Sequence, residues 1–170
     1  MSRQRRGEND TAMRTKTAQV RDIQPDTKYG STLIAKLINY VMRDGKKSVA
    51  QKQVYAALEQ LGEATGKKPL EAFEEVIRVL SPQMEVRSRR VGGAAYQVPM
   101  PVRPRRAFAL TLRWIVLEAN KRANKQYHTF GEKLAAEMLD ILAGQGGAIA
   151  RKETAHRMAD ANKAFAHFRW

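Results

Sequence analysis

Met84-Glu85-Val86-Arg87-Ser88-Arg89-Arg90-Val91-Gly92-Gly93-Ala94-Ala95-Tyr96-Gln97-Val98-Pro99-Met100-Pro101-Val102 is the stretch whose reading decides the fold. Met84, Val86 and Ser88 alternate with Glu85, Arg87 and Arg89. Beyond the glycine pair, Tyr96, Val98, Met100 and Val102 alternate again, which is the period of two expected of strands. Two such runs around Gly92 and Gly93 predict a β-hairpin over about residues 83–102. Pro99 and Pro101 stand two apart, so their nitrogens face the same edge of the strand, and proline has no N–H to give. That edge is unpaired, and the hairpin is therefore a two-stranded ribbon standing out from a body of another kind rather than part of a wide sheet.

On both sides of the ribbon the apolar period is helical. From Ser31, the residues Leu33, Ile34, Leu37, Ile38, Val41 and Met42 predict a first helix that stops at Gly45. Ser48 and Gln51 read as a capping box for a second, whose stripe of Val54, Ala57, Leu58 and Leu61 runs to Gly62 and Gly66. Pro69 opens a third, with Leu70, Phe73, Val76, Ile77 and Leu80 inward, closed by Ser81 and Pro82. Pro104 opens a fourth, with Phe108, Leu112, Ile115 and Ala119 inward and Arg105, Arg106, Arg113, Lys121 and Arg122 on its surface. After a polar stretch at Asn124 to Gly131, a fifth carries Leu134, Ala135, Met138, Leu139 and Leu142 and ends at Gly144, Gly146 and Gly147. A last helix from about Arg151 carries Ala155, Met158, Ala159 and Phe165. The expectation is a mainly α fold: one six-helix domain over residues 28–170 with a protruding two-stranded β-hairpin. Residues 1–27, basic and almost without aliphatic side chains, read as a flexible arm.

Charge points to the partner. The chain has 31 Lys and Arg against 17 Asp and Glu, a formal net charge of +14 over 170 residues. A compact state this charged repels itself, and a phosphate backbone relieves the repulsion with counterion release. An anionic membrane is a poorer fit, because the charge is spread along the chain rather than gathered on one amphipathic helix. With no cysteine there is no disulfide, thiolate metal site or cysteine nucleophile. No apolar run approaches the roughly 18 residues of a membrane span, and Met1 to Arg6 is charged with no apolar core behind it, so a soluble intracellular protein is expected.

No enzymatic signature is complete. Gly62-Glu63-Ala64-Thr65-Gly66-Lys67-Lys68 is one residue short of a phosphate loop and lacks the hydroxyl that would hold magnesium, so it reads as an interhelix turn. His128, His156 and His167 have no ligand-like spacing, and Glu74 and Glu75 are adjacent on a helix and point apart. No catalytic residue, metal or cofactor is expected.

What the chain offers is chemistry for phosphates. Arg87, Arg89 and Arg90 crowd the approach to a turn whose Gly92 and Gly93 carry no side chain, so planar guanidinium forks stand where backbone can approach a nucleic acid closely. Arg87 and Arg89 share a face. Arg43, Lys46 and Lys47 form a second basic turn, Arg105, Arg106 and Arg113 a basic helix surface, and Arg151, Lys152, Arg157 and Lys163 a third cluster. Arg3, Arg5 and Arg6 begin the arm, which is expected to track phosphates and to order on RNA. For Phe168 and Trp170 two readings stay open, stacking on bases or pinning the tail to the core.

Four segments together carry a resemblance: Met42-Arg43-Asp44-Gly45-Lys46-Lys47-Ser48, Met84 to Ala94, Tyr96-Gln97-Val98-Pro99, and Arg157-Met158-Ala159-Asp160-Ala161-Asn162-Lys163-Ala164-Phe165-Ala166-His167. In this order, from Ile23 to Trp170, the chain closely resembles the bacterial small-subunit ribosomal protein seven family. The resemblance implies a primary binder of small-subunit ribosomal RNA that nucleates the head of the subunit and has no catalytic activity. It implies RNA contacts from the arm, the Arg43 to Lys47 turn and the Arg87 to Arg90 strand, and a hairpin near messenger RNA and exit-site transfer RNA. Neighbouring proteins of the head and platform, repression of its own message and a cytoplasmic place in the small subunit are implied too, without separating bacterial from organelle members. Two stretches depart from the family pattern: one near Asn9 to Ala18 reads as an insertion, and one near Asn124 to Phe130 as a lengthened turn. The rival readings are a DNA-binding regulator with a hairpin wing and an RNA-modifying enzyme. The first lacks a single base-reading helix and the second a catalytic cluster.

Overall fold

The computed structural model describes residues 22–169, so Arg3, Arg5 and Arg6 of the expected arm, and Trp170, lie outside the described residues. Chain order is α1 (Thr32–Val41), α2 (Lys47–Thr65), α3 (Pro69–Leu80), β1 (Met84–Val91), β2 (Ala94–Pro101), α4 (Pro104–Lys121), α5 (Phe130–Leu142) and α6 (Gly147–Ala161), then a 3-10 segment, Lys163–Phe168. The mainly helical body with one antiparallel hairpin is as the hydrophobic periods require.

Local chemistry sets the helix starts. The Ser31 hydroxyl accepts the Leu33 N–H at 3.2 Å and opens α1, and prolines occupy the first position of α3 and α4, where a missing N–H costs nothing. The capping box expected at Ser48 and Gln51 is not there. The carbonyl of Lys46 already accepts the Ala50 N–H, so α2 begins at Lys47 and Ser48 lies inside its first turn. A reciprocal cap occurs instead at α5, where the Thr129 hydroxyl accepts from the Glu132 N–H at 3.3 Å and the Glu132 carboxylate accepts from the His128 N–H at 2.9 Å.

Two other boundaries differ from expectation. Gly62 does not end α2: it is buried within the helix, where a Cβ would stand 3.0 Å from the Pro69 ring, so α2 and α3 meet closely there. The helix ends at Thr65, with Gly66 left-handed at φ 64°. The last helix begins four residues before Arg151, at Gly147, because the Ala148 N–H is taken up by the Glu137 side chain at 3.0 Å. Its inward stripe is Ala148, Lys152, Ala155 and Ala159, at i, i+4, i+7 and i+11. Met158, expected inside, falls off that stripe and is 56% exposed, and Phe165 lies beyond the helix.

The core joins α1 to α5 through Ile34, Leu37, Ile38, Leu58, Leu61, Phe73, Leu80, Leu112, Ile115, Leu134, Met138 and Ile141, all fully buried. Truncating any one of these leucines to alanine is expected to cost about 2–5 kcal/mol. Central α5 packs on α2 and α4, and the hairpin packs against α6 through β1 and against the 3-10 segment through β2.

The ribbon has the register that the glycine pair dictates. Val91 faces Ala94 across a two-residue turn in which Gly92 and Gly93 have φ of 58° and 90°, the left-handed values that a tight twisted hairpin needs. Pro99 faces Val86 and Pro101 faces Met84, positions of equal parity, and among the described residues the sheet has these two strands alone.

Candidate nucleic-acid interface

Strand parity places Glu85, Arg87 and Arg89 of β1 on one face, opposite Met100, Val98 and Tyr96 of β2. The shared face expected for Arg87 and Arg89 is therefore present. Near the base of the ribbon, Glu85 Oε1 accepts from Arg87 Nη2 at 2.5 Å and Nε at 2.7 Å, while Oε2 accepts from Arg106 Nε at 3.2 Å. One carboxylate thus brings together an arginine of the hairpin and one from the first turn of α4, residues that are 19 apart in sequence. Arg90 is exposed on the opposite face, and Gly92 and Gly93 are exposed at the tip, with no heavy atom within 4 Å of where a Cβ would stand.

The tail reaches the same ribbon. Tyr96 packs against Phe165 and Phe168, with ring centroids 5.4 and 5.0 Å apart, and His156 Nε2 accepts the Gln83 N–H at 3.1 Å. Phe168 thus packs on the ribbon, neither free for stacking on that side nor pinned to the helical core; the His167 and Phe168 ring centroids are 4.0 Å apart.

A second concentration surrounds the α1–α2 turn. Asp44 and Gly45 both have positive φ, and Arg43, Lys46 and Lys47 are exposed around them. Arg43 and Lys46 rim an open cleft of about 230 Å³ whose wall is Val41, Val49, Ala50, Gln53, Asn120 and Phe130. Gln53 spends its carbonyl on the Gly131 N–H, and Asn120 donates to the Val116 carbonyl, which leaves the other half of each amide for a ligand. Cations at the rim with apolar and amide groups inside suit a nucleobase attached to its phosphates. Sequence alone did not single out Gln53, Asn120 or Phe130, because they come from three different helices.

The remaining cations divide into exposed and engaged. Arg105, Arg113, Arg157 and Lys163 are exposed. Arg151 pairs with Glu118, which also accepts from Lys121 at 2.9 Å, and Lys152 donates to the Val79 carbonyl at 2.6 Å. Burial opposes the charge on Glu118, but hydrogen bonds from Lys121 and Arg151 outweigh it and hold its carboxyl below the usual carboxylate range. Arg122, expected on the surface of α4, is instead turned inward. Its Nη2 donates to Glu137 at 2.7 Å and pairs with Asp140, and Nη1 donates to the Tyr127 hydroxyl at 3.3 Å. Burial works against this guanidinium, yet Asp140 and Glu137 hold it more firmly protonated than a free arginine.

Among the described residues no group of three His, Cys, Asp or Glu is placed to hold a metal ion, and no helix is long and apolar enough to cross a membrane. The Gly62 to Lys68 segment is helical as far as Thr65 and does not form a phosphate loop.

Residues 13–163 match the family model described as ribosomal protein S7p/S5e. The small ribosomal subunit protein uS7 of Caldanaerobacter subterraneus subsp. tengcongensis is 55% identical over 150 residues, covering 88% of this chain and 94% of its own length. The uS7 proteins of Acetivibrio thermocellus and Sulfurihydrogenibium sp. are 53% and 54% identical over the same coverage.

The chain belongs to the ribosomal protein S7p/S5e family.

Members of the S7p/S5e family are structural proteins rather than enzymes, which sets aside the RNA-modifying reading. The S7p/S5e match, and relatives named as small ribosomal subunit proteins, also weigh against the DNA-regulator reading.

Proposed function

We propose that this protein is a structural constituent of the small ribosomal subunit that binds small-subunit ribosomal RNA as a primary binder and nucleates folding of the head. The observation that carries the reading is that one carboxylate draws together arginines from the ribbon and from α4 in a chain of the S7p/S5e family. Phosphates would be met by Arg87, Arg89 and Arg90 on β1, by Arg43, Lys46 and Lys47 at the α1–α2 turn, and by Arg105, Arg106 and Arg113 along α4. Gly92 and Gly93 would let the ribbon tip approach a groove, near messenger RNA and exit-site transfer RNA. Arg151, Lys152, Arg157 and Lys163 complete the set, and Arg3, Arg5 and Arg6 would extend it from the arm. Residues 28–170 act as one RNA-binding unit and residues 1–27 as its arm, with head and platform proteins as neighbours and no membrane partner. Repression of its own message belongs to the same reading, since an RNA mimicking the ribosomal site would compete for these cations. The place of action is the cytoplasm, on the small subunit.

Titration of the full chain with a transcribed head-domain fragment of small-subunit ribosomal RNA, against duplex DNA of equal charge and over a range of salt, tests this. Selective binding of the RNA at every salt is expected. Equal affinity for both would reduce the protein to a generic polyanion binder and overturn the proposal.

A further inference from the structure

We propose that Glu85 is a positioning residue that presets Arg87 and Arg106 as a two-arginine clamp for one backbone phosphate; the inference rests on the ribosomal RNA reading and deepens it. An acidic side chain inside a phosphate-binding surface is at first sight a defect, because it repels the ligand. Its geometry points the other way. The Glu85 side chain is only 12% exposed and both of its oxygens face arginines, whereas Arg87 and Arg106 are 54% and 45% exposed. A ligand arriving from solvent therefore meets two guanidinium groups, with the carboxylate behind them.

The donor count leaves room for it. Arg87 spends Nε and one hydrogen of Nη2 on Glu85, which leaves Nη1 and the second Nη2 hydrogen. Arg106 spends only Nε and keeps both terminal nitrogens. The pair arrives from different elements, one on a strand and one in the first turn of α4, so without the bridging carboxylate their long side chains would have to be ordered when RNA binds.

Coulomb repulsion and positioning predict opposite signs for the same substitution. If Glu85 only repels, Glu85→Ala tightens RNA binding. If it positions, Glu85→Ala weakens binding about tenfold, or about 1.4 kcal/mol, although a negative charge has been removed. The salt slope then stays unchanged, because the arginine contacts still form once bound. Glu85→Gln keeps the shape and one of the two acceptors, so it can hold one arginine but not both; its binding falls between wild type and E85A, and it carries the test if the alanine variant melts early.

The experiment is a titration of full-length wild type, E85A, E85Q, R87A/R106A and E85A/R87A/R106A against the same ribosomal RNA fragment, with melting curves for each. R87A/R106A is expected to lower the salt slope by about one, for the one phosphate the pair holds, and E85A to have no further effect in that background. Unchanged or tighter binding by E85A or E85Q beside a weakened R87A/R106A would overturn the positioning role alone. An unchanged R87A/R106A would overturn the clamp itself. Loss of RNA preference already in the wild type would instead be the failure of the wider reading.

Discussion

Arg122 Nη2 lies 2.7 Å from Glu137 Oε2, and the other oxygen of the same carboxylate accepts the Ala148 N–H at 3.0 Å. Through this one pair the end of α4, the middle of α5 and the start of α6 share a single buried anchor. Glu137 is 1% exposed, and Asp140 and the Tyr127 hydroxyl take up the rest of the guanidinium. Glu137→Ala removes the acceptor and leaves a cation withdrawn from water, a change that costs about 3–5 kcal/mol in buried pairs. A melting temperature lowered by several degrees is expected, with a loosened α6. A melt within a degree of wild type would mean that Asp140 suffices.

Acid should weaken the α4–α6 contact. Glu118 is held below its ordinary range by Lys121 and Arg151, so its contribution is present above the unfolded carboxylate pKa and is lost as pH falls through the lower folded value. Stability measured by denaturant titration should fall as pH drops below about 4.5, and Glu118→Gln should be less stable at pH 7 with a shallower acid limb. Identical acid limbs for the two proteins would remove Glu118 from the account.

Replacing Arg87, Arg89 and Arg90 together by alanine should weaken binding of the ribosomal RNA fragment and lower the salt slope by about three, near one for each lost phosphate contact. Filter binding at four salt concentrations measures the slope. An unchanged slope would place the phosphates elsewhere on the protein.

Gly131 occupies the closest approach of α5 to α2, where a Cβ would stand 3.0 Å from the Gln53 carbonyl oxygen and 3.2 Å from its side-chain oxygen. Gly131→Ala must push the two helices apart, at a cost of about 1–3 kcal/mol. The Gly131 N–H donates to the Gln53 side chain at 2.8 Å, so the wall of the cleft beside Phe130 moves with it. Lower stability together with weaker RNA binding is expected. Unchanged stability would show that the helices yield at no cost.

Much of this architecture was legible in the chain itself. Apolar residues recur every three or four positions over α1 to α5 and every second position around Gly92, and each period follows from backbone geometry alone, so helices and hairpin could be assigned without knowing their partners. Pro99 and Pro101 disclosed the open edge because a missing N–H is a property of one residue. The excess of cations named a polyanion in the same way, and the family resemblance rested on segments that are continuous in sequence. Tertiary structure decided whatever depends on residues from different elements. Ser48 and Thr129 both precede a partner three residues on, and only the surrounding backbone made the second a cap. Arg122 and Arg105 look alike in sequence, yet one is half-buried on Glu137 and the other faces water. The cleft beside Phe130 and the grip of Glu85 on Arg87 and Arg106 likewise exist only after folding, because charge pairing falls off within a few ångströms and chain order does not record which side chains come that close.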